Sequence, residues 1–520
     1  MAEVRKGYFH LGFFQTFVIP ALLVFLLPTL SFLFFRHARN TFDNKVRTAF
    51  LAQVQADQTL TQEERQQALQ FYREIPFSRL VGEKEFAEMV TPEARFHYFT
   101  FRWMMILSFL SILFGILYFM AAGLSVVLSY NSQRIQHLVL AIGWPILKLY
   151  SALQLVVQGL MLFALSYWVT ALWFNIFIPK LIFVVGLLVV IAVGVVLLLM
   201  FKRINIDQSV EGVLADPQDA APLLGEINAL CEQVGATPPD NVVLGIDDKF
   251  YLTENPTVLA DKKLKGRTLC LSLAMLKYLD RAEASALLTH ELAHFSGKDT
   301  FYSRRIAPRL LRIDRYLQAL YDGAVTLPVF YFMNSFRTMC EYSLGRIGRK
   351  REQRADRIAA ENSSPINFAQ GLLRSIAYAE LRARVQEEIF KTEEVLKHVD
   401  ISEQIDSRFQ EYLLSFGSRP DVGGLENRHP YDIHLPLDRR LEALGIPCNE
   451  QYILELLKTP GDGGWYDLVD GAFEIEREQW DLLEEKFRER HEQSLAYRFI
   501  PETDDEREIV VKAFPEVKFE

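Results

Sequence analysis

The chain is short of cysteine and histidine and has no basic tract of the kind that suggests nucleic-acid binding. Its four cysteines, Cys231, Cys270, Cys340 and Cys448, are scattered through 520 residues. Without a Cys-x-x-Cys pair they form neither a metal knuckle nor a disulfide framework, and they read as buried, inert thiols. A net charge of −9, with no basic tract that suggests nucleic-acid binding, argues against a nucleic-acid surface. Beyond residue 201 no uncharged apolar run is long enough to cross a bilayer with conviction. With only 10 histidines in the chain, a regular spacing between two of them carries information.

Long apolar runs are concentrated in the first 200 residues. Residues 11–35, 103–129, 150–177 and 181–201 are each long enough to span a bilayer, and four such runs in succession are foreign to a soluble domain. The first is too long for the core of a signal peptide, and no small-residue cleavage site follows it, so it is expected to stay as an anchor. Tyr167, Trp168 and Trp173 suit an interfacial belt near the end of the third. Residues 1–203 are therefore expected to form a membrane region, with 36–102 as an extramembrane helical insertion. Thr61 and Thr91 mark helix starts in that insertion. An even number of spans puts the N-terminus and the histidine-bearing region on one side, but lysine and arginine counts do not say which. Residues 204–450 read as a folded domain and 451–520 as an acidic helical extension, with Gly461 and Gly464 bracketing a hinge. Residues 325–336 are apolar and aromatic but short, fit either to dip into a membrane face or to pack as core.

The domain carries His290-Glu291-Leu292-Ala293-His294. Residues i and i+4 share a helix face, so both imidazoles reach one cation, while Glu291 beside them can hold a water and take its proton. Asp280 and Glu283 have capping-box spacing, and Ala284, Leu287, Leu288 and Leu292 continue at helical intervals, with Gly297 as a stop. Upstream, 241–246 and 268–272 read as short buried strands. Between them Phe250, Tyr251, Leu252 and Thr253 form either an edge for an extended peptide to pair with or an ordinary hairpin arm. A catalytic zinc site needs a third protein ligand. Glu352 and Asp356, four apart on a helix, offer a ligand and a partner for an imidazole N–H; a solvated charged face has the same spacing.

His290-Glu-x-x-His294 followed by Glu352-x-x-Ala355-Asp356 resembles the integral-membrane zinc metallopeptidases that include the bacterial HtpX heat-shock protease and the eukaryotic CAAX prenyl protease. The likeness runs over about 238–444 and extends to the plan of membrane helices before the catalytic domain. It implies one Zn²⁺ per chain on His290, His294 and Glu352, with Asp356 supporting a ligand histidine and Glu291 as the base. It also implies that His434 and Arg440, in His434-Leu-Pro-Leu-Asp-Arg-Arg440, contact the substrate carbonyl, where a cationic or N–H donor stabilises the developing charge.

The fold class expected is mainly α with a small β-sheet: a four-helix transmembrane region followed by a zincin-like α+β metallopeptidase domain. The function expected is that of a membrane-anchored zinc endopeptidase acting on membrane or membrane-proximal polypeptides, in quality control. A precursor-processing protease, or a catalytically silent scaffold or chaperone-like adaptor with a structural metal, are the rivals. The resemblance also implies a bacterial inner membrane with the catalytic domain in the cytoplasm. Partners are the bilayer and a polypeptide, with oligomeric or complex partners open. Two departures stand out: the family's apolar spans after the His-Glu-x-x-His helix have no convincing counterpart, and 452–520 lies outside the likeness.

Overall fold

The computed structural model describes residues 11–513 apart from 75, 82–90, 131, 174–175, 177, 203–206, 297–300, 393–395, 397, 419–435, 459–463 and 499–502. The chain is mostly helical, with few strands, and divides into two compact units. One comprises Met1–Ile204 with Arg312–Ser343, the other Asn205–Leu311 with Leu344–Glu520.

Among the described residues of the first unit, four helices are long and apolar enough to cross a membrane: Phe14–Ala56, Pro92–Ser129, Gln133–Leu172 and Pro179–Phe201. The first two outrun their apolar stretches. Ile19–Ala56 has 38 residues, a length of about 57 Å at 1.5 Å per residue, against a hydrocarbon core of about 30 Å. Its polar second half carries the buried Asp43, whose carboxylate accepts bonds from Ser78 N (2.9 Å) and Oγ (2.8 Å). Pro28 lies inside this helix. Having no N–H, it leaves the Val24 carbonyl without its helical donor. The Gln154 and Gln158 amides supply donors at 3.4 Å each, and Gln158 also donates to Leu23 O at 2.8 Å. Ser108–Ser31 (2.9 Å) and Gln154–Ser111 (2.6 Å) complete a seam of satisfied polar side chains in otherwise apolar packing.

The short aromatic stretch resolves as core of this same unit. Phe330 and Met333 are fully buried, the Phe332 ring lies 4.6 Å from that of Tyr118, and Ser129 bonds Ser343 at 2.9 Å. Arg337, also buried, is paired with Asp314 at 2.8 Å.

The second unit is α+β. Its strands are β1 (Gln208–Val210), β2 (Val213–Leu214), β3 (Asn241–Gly245), β4 (Tyr251–Thr253), β5 (Thr257–Leu259), β6 (Lys262–Leu264) and β7 (Thr268–Ser272). They make two small sheets rather than one, ordered β1-β5-β6 and β2-β3-β7-β4. The two strands read from sequence are the parallel centre of the larger sheet, with Asn241 opposite Thr268; both are almost wholly buried, which is why they are continuous apolar runs. β4 is antiparallel to β7 and stands at the sheet's edge.

Behind the sheet pack the helix Arg281–Ala293, which we call the His helix, and the helices Pro365–Phe390 and Ile401–Gly417. Gly371 permits a close crossing: a Cβ there would lie 3.1 Å from both Glu283 O and Leu287 Cγ. The helix Ala472–Arg498 belongs to this core, burying Trp480. Its buried Glu476 accepts from Trp480 Nε1 (3.1 Å) and the Tyr466 hydroxyl (2.9 Å) and pairs with Lys277 (2.8 Å).

Candidate metal centre

The His helix is fixed before any site chemistry begins. The capping box forms: Asp280 Oδ1 accepts from Glu283 N (2.7 Å) and Glu283 Oε2 accepts from Asp280 N (3.0 Å). Glu283 is itself buried, and Arg374, also buried, donates to its other oxygen at 3.0 Å. Burial pushes the Glu283 carboxyl above the usual carboxylate range, and Arg374 opposes that push. The helix ends at Ala293, with His294 at the C-cap still in helical conformation, so both rings remain on one face. Gly297, the expected stop, lies outside the described residues.

The long helix Leu327–Asn362 brings Glu352 and Asp356 to the two rings. Glu352 Oε2 lies 3.5 Å from His290 Nε2, and Oε1 lies 3.3 Å from His294 Nε2. Ligand atoms of the three residues fall within 4.8 Å of one another. Two bonds of about 2.1 Å meeting at the tetrahedral angle separate their ends by about 3.4 Å, so this donor set fits zinc in both chemistry and spacing. On the far side of the His290 ring, Nδ1 is 2.9 Å from Asp356 Oδ1. That is the arrangement in which a carboxylate fixes which nitrogen faces the cation. Burial disfavours a proton on either ring. For His290 the Asp356 and Glu352 carboxylates outweigh burial and raise it to about 10, whereas burial drives His294 down to about 3.

Asp356 is gripped in turn. Arg440, in the helix Leu437–Ala443, donates Nε at 2.9 Å and Nη2 at 2.7 Å to its two oxygens. All three of these groups are buried. The family resemblance implies that Arg440 contacts the substrate carbonyl; two of its N–H donors face Asp356, a planar fork on a carboxylate. Asp356, despite burial, is held below the usual carboxylate range by His290 and Arg440. Glu291 is half-buried on the same helix turn as His290. His434 lies outside the described residues. Of 250–253, Phe250 precedes the edge strand and is buried, and Tyr251, Leu252 and Thr253 form β4.

Residues 260–392 match the model of Peptidase family M48. The chain carries a domain of that metallopeptidase family. The match takes in His290, Glu291, His294, Glu352 and Asp356, and leaves β3, β4 and Arg440 outside. No curated protein and no solved structure matches the chain.

Three side chains around the M48 site escaped sequence reasoning. The Phe368 ring stacks on His290, with centroids 5.7 Å apart and planes at 19°. Arg374 pins the start of the His helix. Arg354 reaches its end, donating from Nη1 to Ala293 O (3.4 Å) and Ser296 O (3.3 Å), and from Nη2 to Ser296 Oγ (3.2 Å). No local pattern marks any of them, since each depends on which helices cross. The run of arginines around Glu352 was the only cue for Arg354, and it reads equally well as a solvated face.

Proposed function

We propose that the protein is a membrane-anchored zinc endopeptidase that hydrolyses peptide bonds in membrane or membrane-proximal polypeptides, with a role in protein quality control. The observation that carries the reading is the convergence of His290, His294 and Glu352 within 4.8 Å, inside the residues that match the metallopeptidase family. Four helices of spanning length and composition support the anchor. The resemblance to HtpX-type enzymes supports a bacterial inner membrane and a cytoplasmic catalytic domain. Protease accessibility of the C-terminus in right-side-out and inverted vesicles tests that orientation.

In this reading His290, His294 and Glu352 hold one zinc ion, which when bound polarises the scissile carbonyl and makes its water acidic. Glu291 takes the proton of the attacking water and passes it to the leaving amine. Asp356 keeps His290 in the tautomer whose Nε2 faces the cation, and Arg440 holds Asp356 in place. His434 offers a donor to the carbonyl oxygen as charge grows there, and any contribution of Arg440 to that oxygen comes in addition to its grip on Asp356. The place of β4 at the edge of the larger sheet suits an extended peptide, because an edge strand presents backbone groups that a substrate can match. Glu291→Gln tests the mechanism in detergent-solubilised full chain. The variant is expected to retain zinc and to lose about 10²- to 10⁴-fold in cleavage of an unfolded protein. Full activity in Glu291→Gln removes Glu291 as the base. Zinc binding without cleavage of unfolded or membrane clients by the wild type favours a scaffold, and cleavage of a single precursor alone favours a processing enzyme.

A further inference from the structure

Resting on the zinc reading above, we propose that Arg354 is a positioning residue for the metal site. It locks the turn that carries Glu352 to the turn that carries His294, and so sets the spacing of two ligands from different helices. Arg354 sits between Glu352 and Asp356. Its guanidinium donates to Ala293 O, Ser296 O and Ser296 Oγ at 3.2–3.4 Å. Those acceptors flank His294, the C-cap residue.

The physical reason lies in the end of the His helix. The last carbonyls of a helix have no intrahelical donor and carry the negative end of its dipole. Ser296 N and Oγ turn back to Ala293 O at 3.2 and 3.0 Å, which begins to close this end. Arg354 adds a cation to the same carbonyls from the other ligand-bearing helix. After His294 the described chain runs as a turn through Phe295 to Ser296, which bridges Ala236 on the other side. The Arg354 fork, several donors from one side chain, ties this turn to the helix that carries Glu352 and so resists rotation of the His294 ring relative to that ligand. The Arg374–Glu283 pair at the opposite end provides a contrast. It is buried and close at 3.0 Å, but Glu283 is seven residues, about 10 Å along the axis, from His290. That pair stabilises the fold without adjoining a ligand.

The experiment compares wild type, Arg354→Met, Arg354→Lys, Ser296→Ala and Arg374→Met as full chains in detergent. The readouts are zinc affinity by chelator competition, the visible spectrum of the cobalt-substituted protein, kcat and KM, and Tm. Arg354→Met is expected to weaken zinc about tenfold or more, in the range found when partners of metal ligands are removed. It should also shift the cobalt bands and lower kcat, with KM within about twofold of wild type. Arg354→Lys should recover part of the affinity, having the charge without the fork. Ser296→Ala should weaken zinc less than Arg354→Met, with the double variant no worse than Arg354→Met alone. Arg374→Met should lower Tm more than Arg354→Met and leave the cobalt bands in place. The proposal is overturned if Arg354→Met keeps wild-type zinc affinity and cobalt spectrum, or if its zinc loss merely follows its Tm as in Arg374→Met. Absence of zinc binding in the wild type would instead overturn the zinc reading itself.

Discussion

Arg374→Met gives the sharpest test of how the His helix is held. In the native protein the Arg374 and Glu283 side chains are 2% and 1% exposed, so the substitution strands a carboxylate where water cannot reach it. Removing one partner of a buried ion pair costs about 3–5 kcal/mol. The lower end applies here, because Glu283 keeps its bond from Asp280 N at 3.0 Å. At about 2–3 °C per kcal/mol for a domain of this class, Tm should fall by about 6–10 °C. The assay is intrinsic-fluorescence melting of zinc-saturated full chain in detergent at one scan rate. Adding Glu283→Gln removes the stranded charge, so the double variant should lie within about 3 °C of wild type. The pH dependence has a definite sign. Burial already raises Glu283 in the native protein, and its stability contribution is therefore greatest below the unfolded value and falls as pH rises through the folded one. Without Arg374 the folded value climbs further. The gap between variant and wild type should consequently narrow from pH 8 towards pH 5 as the stranded carboxylate takes a proton. A drop under 2 °C, strictly additive losses in the double variant, or a gap that widens at low pH would refute this account of the pair.

Two further outcomes follow from close packing. Gly371→Ala places a methyl 3.1 Å from Glu283 O and should cost about 1–3 kcal/mol, read as a Tm loss with zinc content retained. Gln158→Leu deprives the carbonyls near Pro28 of their 2.8 Å donor to Leu23 O and should destabilise the first unit by about 0.5–1.5 kcal/mol, seen as faster limited proteolysis with the peptidase kcat unchanged.

What the sequence revealed and what it hid have the same physical basis. Local signals carried the capping box at Asp280, the two central strands and the apolar runs, because each is written within a few residues of itself. Boundaries were less legible where polarity and helicity part company: the apolar run ends at Phe35, but the helix continues to Ala56. Strands β1, β2, β5 and β6 are only two or three residues long, too short for any alternation to register. The place of 325–336 depended on bonds such as Gln136 to Ser343 O at 2.9 Å, formed across 207 residues. At the metal centre the two histidines announce themselves by spacing. Glu352 needed the family resemblance to stand out among many acidic residues, and Arg440 drew attention through that same resemblance, while its bond to Asp356 is set by a helix crossing that the sequence does not display. Arg354, Phe368 and Arg374 are fixed by helix crossings that one sequence does not display.

The proposed chemistry requires that His290, His294 and Glu352 bind one cation together. Its most direct test is the zinc content of the purified full chain, with the metal's coordination read by X-ray absorption. The expected result is one zinc per chain bound by two imidazole nitrogens and carboxylate oxygen, with the metal lost in both His294→Ala and Glu352→Gln while the fold persists. Zinc retained at full stoichiometry in Glu352→Gln, or a site showing sulfur ligands, would contradict it.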